Sequence, residues 1–378
     1  MRIRGKVEKI VNNGLGLIRN KDMGVIFIPL ALKGELLEVE LTKRGKSFSY
    51  GEIRKILEPS PERIDPICPH FGECGGCHFL NTTYQNEINI KREILKDLWR
   101  GNLNGIEVIK SPKELNYRIR ARFHIENGFV GFFKRKTHTT IPIQNCPLLH
   151  EKINDFLTDL NNSVNLHKIK ELTVITNGSK ILTNPPLKDT SGDYLEIDLK
   201  RFTAIISPYT FFQANPYTVK SFLPKLKNLL EKEDRILEFH SGNGLFSAEL
   251  AKNIQYLTSV EPNPISKEFF FLNMKKNKIV NFKFYSATDK KWIKEHSKRE
   301  ISFNKIFLDP PRSGISPWLR NYILNSKFEK IFYLSCNIST QKRDVESFLK
   351  GGYKIERVFI LDFFPRTHHV ESFFVLSR

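Results

Sequence analysis

No stretch of this 378-residue chain approaches the roughly 18 consecutive apolar residues of a membrane span. The opening residues, M-R-I-R-G-K-V-E-K-I, contain no apolar core of a secretory leader. No isolated basic amphipathic helix stands out, which makes a membrane the weakest of the anionic partners. A cytoplasmic location is therefore expected, in a reducing environment where cysteines stay free or bind metal rather than pair as disulfides. Internal repeats and long low-complexity tracts are missing too, which excludes solenoids and disordered tails. Acidic residues are in deficit: 41 Asp and Glu face 60 Lys and Arg, a formal charge of +19. That balance favours a polyanion as partner, and 30 phenylalanines beside it suit base stacking as well as core packing.

Cysteine is scarce, yet its placement is informative. Cys68, Cys74 and Cys77 form a C-x5-C-x2-C run, Cys146 stands far downstream, and Cys336 is alone in Y-L-S-C-N-I-S-T. Three clustered thiols plus one distant thiol can close a four-sulfur shell, and spacing alone leaves zinc and an iron–sulfur cluster level. A lone cysteine such as Cys336 is most often buried packing. In a strand-to-loop context it can be a nucleophile.

The chain divides by pattern into three parts. Residues 1–57 read as five short strands (3–10, 14–19, 25–28, 35–42 and 50–56), enough for a small β-barrel. Pro59-Ser60-Pro61 is a linker, and residues 58–206 read as a mixed α/β region that opens with the cysteine run and a helix over 85–100. Strands are expected there at 118–125, 130–134 and 172–176. From about residue 234 strands alternate with helices, which predicts a doubly wound, mostly parallel sheet with its ligand at the carboxyl ends of the strands. Residues 207–378 are assigned to that domain, so the fold class is multidomain α/β.

Chemistry-bearing residues gather in the last part. Gly242 and Gly244 of F-H-S-G-N-G-L-F make a tight turn after the first strand, and Glu261 ends the second, where a carboxylate can hold ribose hydroxyls. Ser247 occupies the third glycine position of a dinucleotide fingerprint, which leans toward S-adenosylmethionine (SAM) over a dinucleotide. In I-F-L-D-P-P-R-S-G-I, Asp309 ends a strand and two prolines stiffen the loop behind it. An acid there can accept a hydrogen bond from a planar imide.

With Asp309-Pro-Pro-Arg-Ser-Gly, Ser335-Cys336-Asn337 followed by Thr340 and Arg343-Asp344, and Phe364-Pro365-Arg366-Thr367-His368-His369-Val370-Glu371, the chain resembles the RNA uracil-C5 methyltransferases. Their D-P-P-R-x-G, S-C-N-P-x-T-x-x-R-D and F-P-x-T-x-H-V-E motifs occur here in order and spacing. S-P-Y-T-F-F-Q-A-N-P, residues 207–216, resembles a SAM-contacting segment of that family. Departures are Ile338 in place of the S-C-N-P proline, His240 in place of an aromatic cofactor contact, Leu245 where an Asn is frequent, and Thr288 where an acid or amide is expected.

The resemblance implies Cys336 as nucleophile on uracil C6 and Glu371 as general base, with His369 a weaker candidate. The thiolate would arise either from a lowered thiol pKa or from deprotonation during attack. It implies SAM contacts at Gln213, His240, Gly242, Gly244, Leu245, Glu261, Thr288 and Asp309, and RNA contacts at Arg122, Phe211 and Phe212. Core packing is the competing reading of the two phenylalanines. Arg343 reads either as an electrostatic helper or as a partner of Asp344. Residues 1–57 resemble a TRAM domain, an oligonucleotide-binding barrel. Cys68, Cys74, Cys77 and Cys146 match the set that holds a [4Fe–4S] cluster in the ribosomal-RNA branch. A monomer acting on 23S rRNA is expected, with tRNA as the alternative substrate. Two rivals compete: a DNA cytosine-C5 methyltransferase, whose Pro-Cys and Glu-Asn-Val motifs are missing, and a non-catalytic RNA chaperone with a degenerate methyltransferase sheet.

Overall fold

The computed structural model describes residues 1–378 except 46, 104, 164, 165, 167, 168 and 297–301. Its N-terminal part is a six-stranded sheet of β1 (Arg2–Lys6), β2 (Lys9–Val11), β3 (Leu15–Asn20), β4 (Gly24–Pro29), β5 (Leu36–Arg44) and β6 (Phe48–Glu58), in the order β1-β5-β6-β4-β3-β2. The single strand expected over 3–10 is two. Val7 N donates to Glu35 O (2.9 Å) and Gly34 N to Val7 O (2.8 Å), so the backbone changes partner in mid-run.

Helix α1 (Tyr84–Leu98) follows, capped by Thr83, whose hydroxyl accepts from Asn86 N. Next come β7 (Glu107–Ile109), β8 (Arg120–Glu126), β9 (Phe129–Phe133), β10 (Thr140–Pro142), α2 (Glu151–Ser163), β11 (Glu171–Thr176), β12 (Ile181–Asn184), β13 (Leu195–Asp198) and β14 (Thr203–Ile206). Five of these strands make an antiparallel sheet, β10-β9-β8-β11-β12, while β13 and β14 pair as a hairpin.

The remaining elements are α3 (Pro216–Lys227), β15 (Arg235–Phe239), α4 (Leu245–Ala251), β16 (Tyr256–Val260), α5 (Pro264–Lys276), β17 (Phe282–Tyr285), α6 (Asp289–His296), β18 (Lys305–Leu308), α7 (Pro317–Ser326), β19 (Lys330–Ser335), α8 (Ile338–Lys350), β20 (Lys354–Leu361) and β21 (Glu371–Ser377). The sheet order is β17-β16-β15-β18-β19-β21-β20-β7. The first five strands are parallel and β21 runs antiparallel to both neighbours. β7, from the region before the methyltransferase-like sequence, pairs parallel with β20 and adds an eighth strand. Every residue of β18 is buried, the signature of a strand covered on both faces. One apolar cluster runs from Ile26 and Ile28 of the N-terminal sheet through Ile94 and Leu95 of α1 to Ile331 and Phe374 on the large sheet. Each such fully buried side chain contributes about 1.5–3 kcal/mol. No helix among the described residues is long and apolar enough to cross a membrane.

Candidate active site

Strand ends bring the key side chains together. β19 and β21 stay in register as far as Ser335 and Ser372, Cys336 follows directly on β19, Glu371 is the first residue of β21, and both line one cleft. Gln341 of α8 fixes this junction, donating to Tyr333 O (2.9 Å) and Ser372 O (3.2 Å) across the two strands. On the other side β18 pairs with β15 as far as Leu308 and Phe239, which sets Asp309 beside His240. A cleft of about 320 Å³ opens at these strand ends, lined by Phe211, Phe212, Gln213, His240, Gly242, Leu245, Asp309, Cys336 and Glu371 among others.

Polar atoms in this cleft await a partner. Gln213 Oε1, His240 Nε2, Ser241 Oγ and Asn243 Nδ2 are buried and make no hydrogen bond to the described residues. Buried polar atoms are nearly always satisfied, so several in one cleft point to a polar ligand. Ser241 and Asn243 escaped the sequence reading, although they lie inside the Gly turn that signalled the site.

The remaining expected cofactor residues sit around this wall rather than in it. Glu261 Oε2 accepts from Gly242 N (3.0 Å) and Oε1 from Asn263 N (2.9 Å), so its carboxylate braces the turn. Gly244 starts α4 at φ 86°, and a Cβ there would stand 3.0 Å from Phe270 and 3.1 Å from Met274, so a side chain would strain the turn. Thr288 lies outside the cleft at the start of α6, its hydroxyl accepting from Lys291 N (3.3 Å). The phenylalanines divide: Phe212 is 3% exposed and joins the core, whereas Phe211 is 68% exposed at the cleft. Arg122 is exposed on β8, 3.9 Å from Glu171 and away from the cleft lining.

Burial dominates the electrostatics. It pushes the Asp309 carboxyl up to about 7, reinforced by the buried Glu238. Glu371 rises to about 8 through burial and then Asp309, against the pull of Arg312 and Lys91. Cys336 rises to about 11, through burial, Glu371 and Asp309 in that order, with Arg312 opposing. This direction is the opposite of a lowered resting pKa and favours the second route to a thiolate, deprotonation during attack. His369, held down to about 3 by burial and His368, is a weak base here. Arg343 donates to Asp344 Oδ1 (2.9 Å) and Ser313 O (3.1 Å), and it lines neither cavity that touches Cys336. Its role is to tie α8 to the Asp309 loop.

The segment carrying Glu371 is anchored from α1. Fully buried Lys91 donates to Asp362 Oδ1 (2.7 Å) and Phe364 O (3.1 Å) and lies 2.7 Å from Glu87 Oε1. Tyr84 Oη donates to Asp362 Oδ2 (2.7 Å), and Arg366 N to Glu87 Oε1 (2.8 Å). Burial would lower the Lys91 pKa, but Asp362 and Glu87 outweigh it and hold the ammonium charged. Nothing in the sequence of α1 signals this function.

The other four cysteines line a separate cavity of about 370 Å³ together with Arg118 and Arg135. Burial raises the thiols of Cys74, Cys77 and Cys146, and Arg118 opposes the rise in each. Among the described residues no three His, Cys, Asp or Glu side chains are grouped closely enough to chelate a single ion.

Comparison with known proteins places this geometry. The family described as tRNA (uracil-5-)-methyltransferase matches residues 168–378. An RNA methyltransferase of Aquifex aeolicus is 30% identical, with 98% of this chain and 97% of the relative aligned. A 23S rRNA (uracil(1939)-C(5))-methyltransferase of Aliivibrio fischeri is 27% identical over 98% and 95% of the two chains. In fold, the chain is similar to the tRNA (uracil-54, C5)-methyltransferase of Pyrococcus abyssi, solved with S-adenosyl-L-homocysteine. The TM-score is 0.81, at 23% identity over 99% of both chains. Matched over more than half its length by the family and over nearly all of it by a relative at 30% identity, the chain belongs to the RNA uracil-C5 methyltransferases.

Proposed function

We propose that the protein converts a uridine of 23S rRNA to 5-methyluridine by covalent catalysis at Cys336. The observation that carries this reading is the convergence of Cys336, Glu371 and Asp309 in one cleft at the strand ends. SAM supplies the methyl group, held by Gln213, His240, Gly242 and Leu245, whose unsatisfied neighbours fit a ligand with amino-acid and ribose polar groups. Asp309 accepts from or donates to the uracil imide edge, since a carboxyl near pKa 7 is available in both states. Cys336 gives its proton up to water as Sγ adds to C6, and the resulting enolate makes C5 nucleophilic. C5 takes the methyl, with S-adenosyl-L-homocysteine as the leaving group, Glu371 removes the C5 proton, and the C6–S bond breaks to release the thiolate. The uridine must be unstacked first, at a cost of a few kcal/mol, and exposed Phe211 offers it a stacking face.

The choice of 23S rRNA rests on the full-length relatives named for that substrate. A tRNA substrate is the second reading, favoured by the description of the matching family. Mapping 5-methyluridine in rRNA and tRNA from a deletion strain decides between them, and loss from neither would refute both. We also propose that residues 1–57 act as a TRAM-like RNA-binding unit. The four-cysteine cavity is proposed to hold a [4Fe–4S] cluster with a structural role. What supports this reading is that all four thiols line one cavity, where Arg118 and Arg135 would offset the negative charge of a cluster. Anaerobic purification should give a brown protein with about four irons; a colourless protein with one zinc would overturn this assignment.

A further inference from the structure

Cys336 lies on the border of two cavities. Beyond the cleft described above it also lines a second one of about 270 Å³, with Asn12, Asn13, Arg312, Asn337, Ser339, His368 and His369 around it. Asn12 and Asn13 lie in the turn between β2 and β3 of the N-terminal unit, more than 300 residues before Cys336 in sequence. Their turn is built to reach this place. Asn13 adopts φ 66° and Gly14 φ 68°, and a Cβ on Gly14 would come within 3.0 Å of His368 Cβ and 3.2 Å of Phe79. Asn12 Nδ2 donates to Ser339 Oγ (3.3 Å), three residues past the nucleophile, while Asn12 Oδ1 accepts from Asn13 N (2.9 Å).

The lining is polar and carries one exposed cation, Arg312, whose carbonyl is pinned by Asn337 Nδ2 (2.9 Å) and Thr340 Oγ1 (3.1 Å). The positive end of α8 faces the same region. A base would want a free aromatic face, but the His368 ring already packs against His78 and His369, both at 4.2 Å between centroids. Amides, a hydroxyl and a guanidinium suit a phosphodiester and its ribose instead. An extruded uridine keeps its backbone, so a base held at Cys336 needs a seat for that backbone beside it.

We propose that this second cavity binds the phosphodiester flanking the flipped uridine, with Asn12 and Asn13 as positioning residues, so that the N-terminal unit completes the catalytic site. The inference rests on the uridine methylation proposed above. The test uses an RNA that the wild-type protein methylates, prepared with 5-fluorouridine at the target and a single methylphosphonate on either side. In wild type, one of the two neutralised phosphates should slow adduct formation about tenfold, as expected for losing hydrogen bonds to a charged group. Asn12→Ala should slow it to a similar degree on unmodified RNA, as should Asn13→Gly, which the left-handed turn accepts. The losses should not compound when variant and methylphosphonate are combined, while SAM affinity and thermal denaturation stay at wild-type values. Losses that multiply, or variants as fast as wild type, would overturn the proposal. A wild-type protein that methylates no cellular RNA would instead refute the function on which it rests.

Discussion

Cys77 and Cys336 are both thiols whose ionisation burial opposes and one arginine favours, Arg118 for the first and Arg312 for the second, yet their other neighbours differ in kind. Cys77 sits among three other thiols with Arg118 nearby, whereas Cys336 faces the carboxyls of Glu371 and Asp309. In the proposed cluster site Cys77 would give its proton up to the metal centre and keep that state. In the proposed covalent cycle Cys336 would stay protonated until a substrate draws on it and would be released again. Burial alone therefore says little about what a cysteine does; the kind of neighbour, thiols around Cys77 and carboxyls around Cys336, tells the two sites apart.

The sharpest way to break this contrast is Cys336→Ala. It should abolish both methylation and the 5-fluorouridine adduct, measured by labelled-methyl transfer and denaturing gel; product at near wild-type rate would end the covalent mechanism. Glu371→Gln should lower turnover by about 10²–10⁴ while a SAM-dependent protein–RNA adduct accumulates, since the C5 proton can no longer leave. If no adduct built up, Glu371 would act before methyl transfer rather than after it. Lys91→Met removes the cation between Glu87 and Asp362 and should destabilise the fold by about 3–5 kcal/mol, read by urea denaturation. An unchanged midpoint would show that the buried carboxyls find other partners.

On the ligand side, Cys77→Ser should lose iron and brown colour, and with them thermal stability. Enzyme that remains folded should still form the Cys336 adduct. Were the adduct lost with the iron while the fold persisted, the two cysteine environments would be coupled. The mildest effect is on pH. Glu371 is protonated below about 8, so single-turnover product release should climb about tenfold per unit up to that point and level above it. The Glu371→Gln variant should lack this limb.

Local motifs made much of the catalytic sheet readable. The turn at Gly242, the strand that leads into Asp309 and the alternation of strands with helices from about residue 234 lie where periodicity and breaker residues put them. Long-range contacts were not readable. Asn12 meets Ser339 across 327 positions, and Lys91 meets Asp362 across 271. In sequence, Asn12 is one residue of a turn and Lys91 one charge on an amphipathic helix. The thiol pKa of Cys336 was likewise hidden, because it depends on burial and on carboxyls from two other strands. Of the two readings the sequence left open for Arg343, the structure shows the pairing with Asp344, with a further bond to a loop carbonyl.

The pairing of β7 with β20 has a consequence during synthesis. Arg357 of β20 also donates to Glu107 of β7 (3.0 Å), a partner made 250 residues earlier. At about 5–20 residues per second the early strand leaves the ribosome roughly 10–50 s before its neighbour exists. The N-terminal half must hold that strand unpaired until β20, which begins only at Lys354, emerges. The catalytic sheet is then completed by a piece of chain already waiting for it. Cutting the gene before residue 207 would leave β20 with a bare edge, and the excised catalytic half should precipitate unless the residues around Glu107–Ile109 are supplied with it.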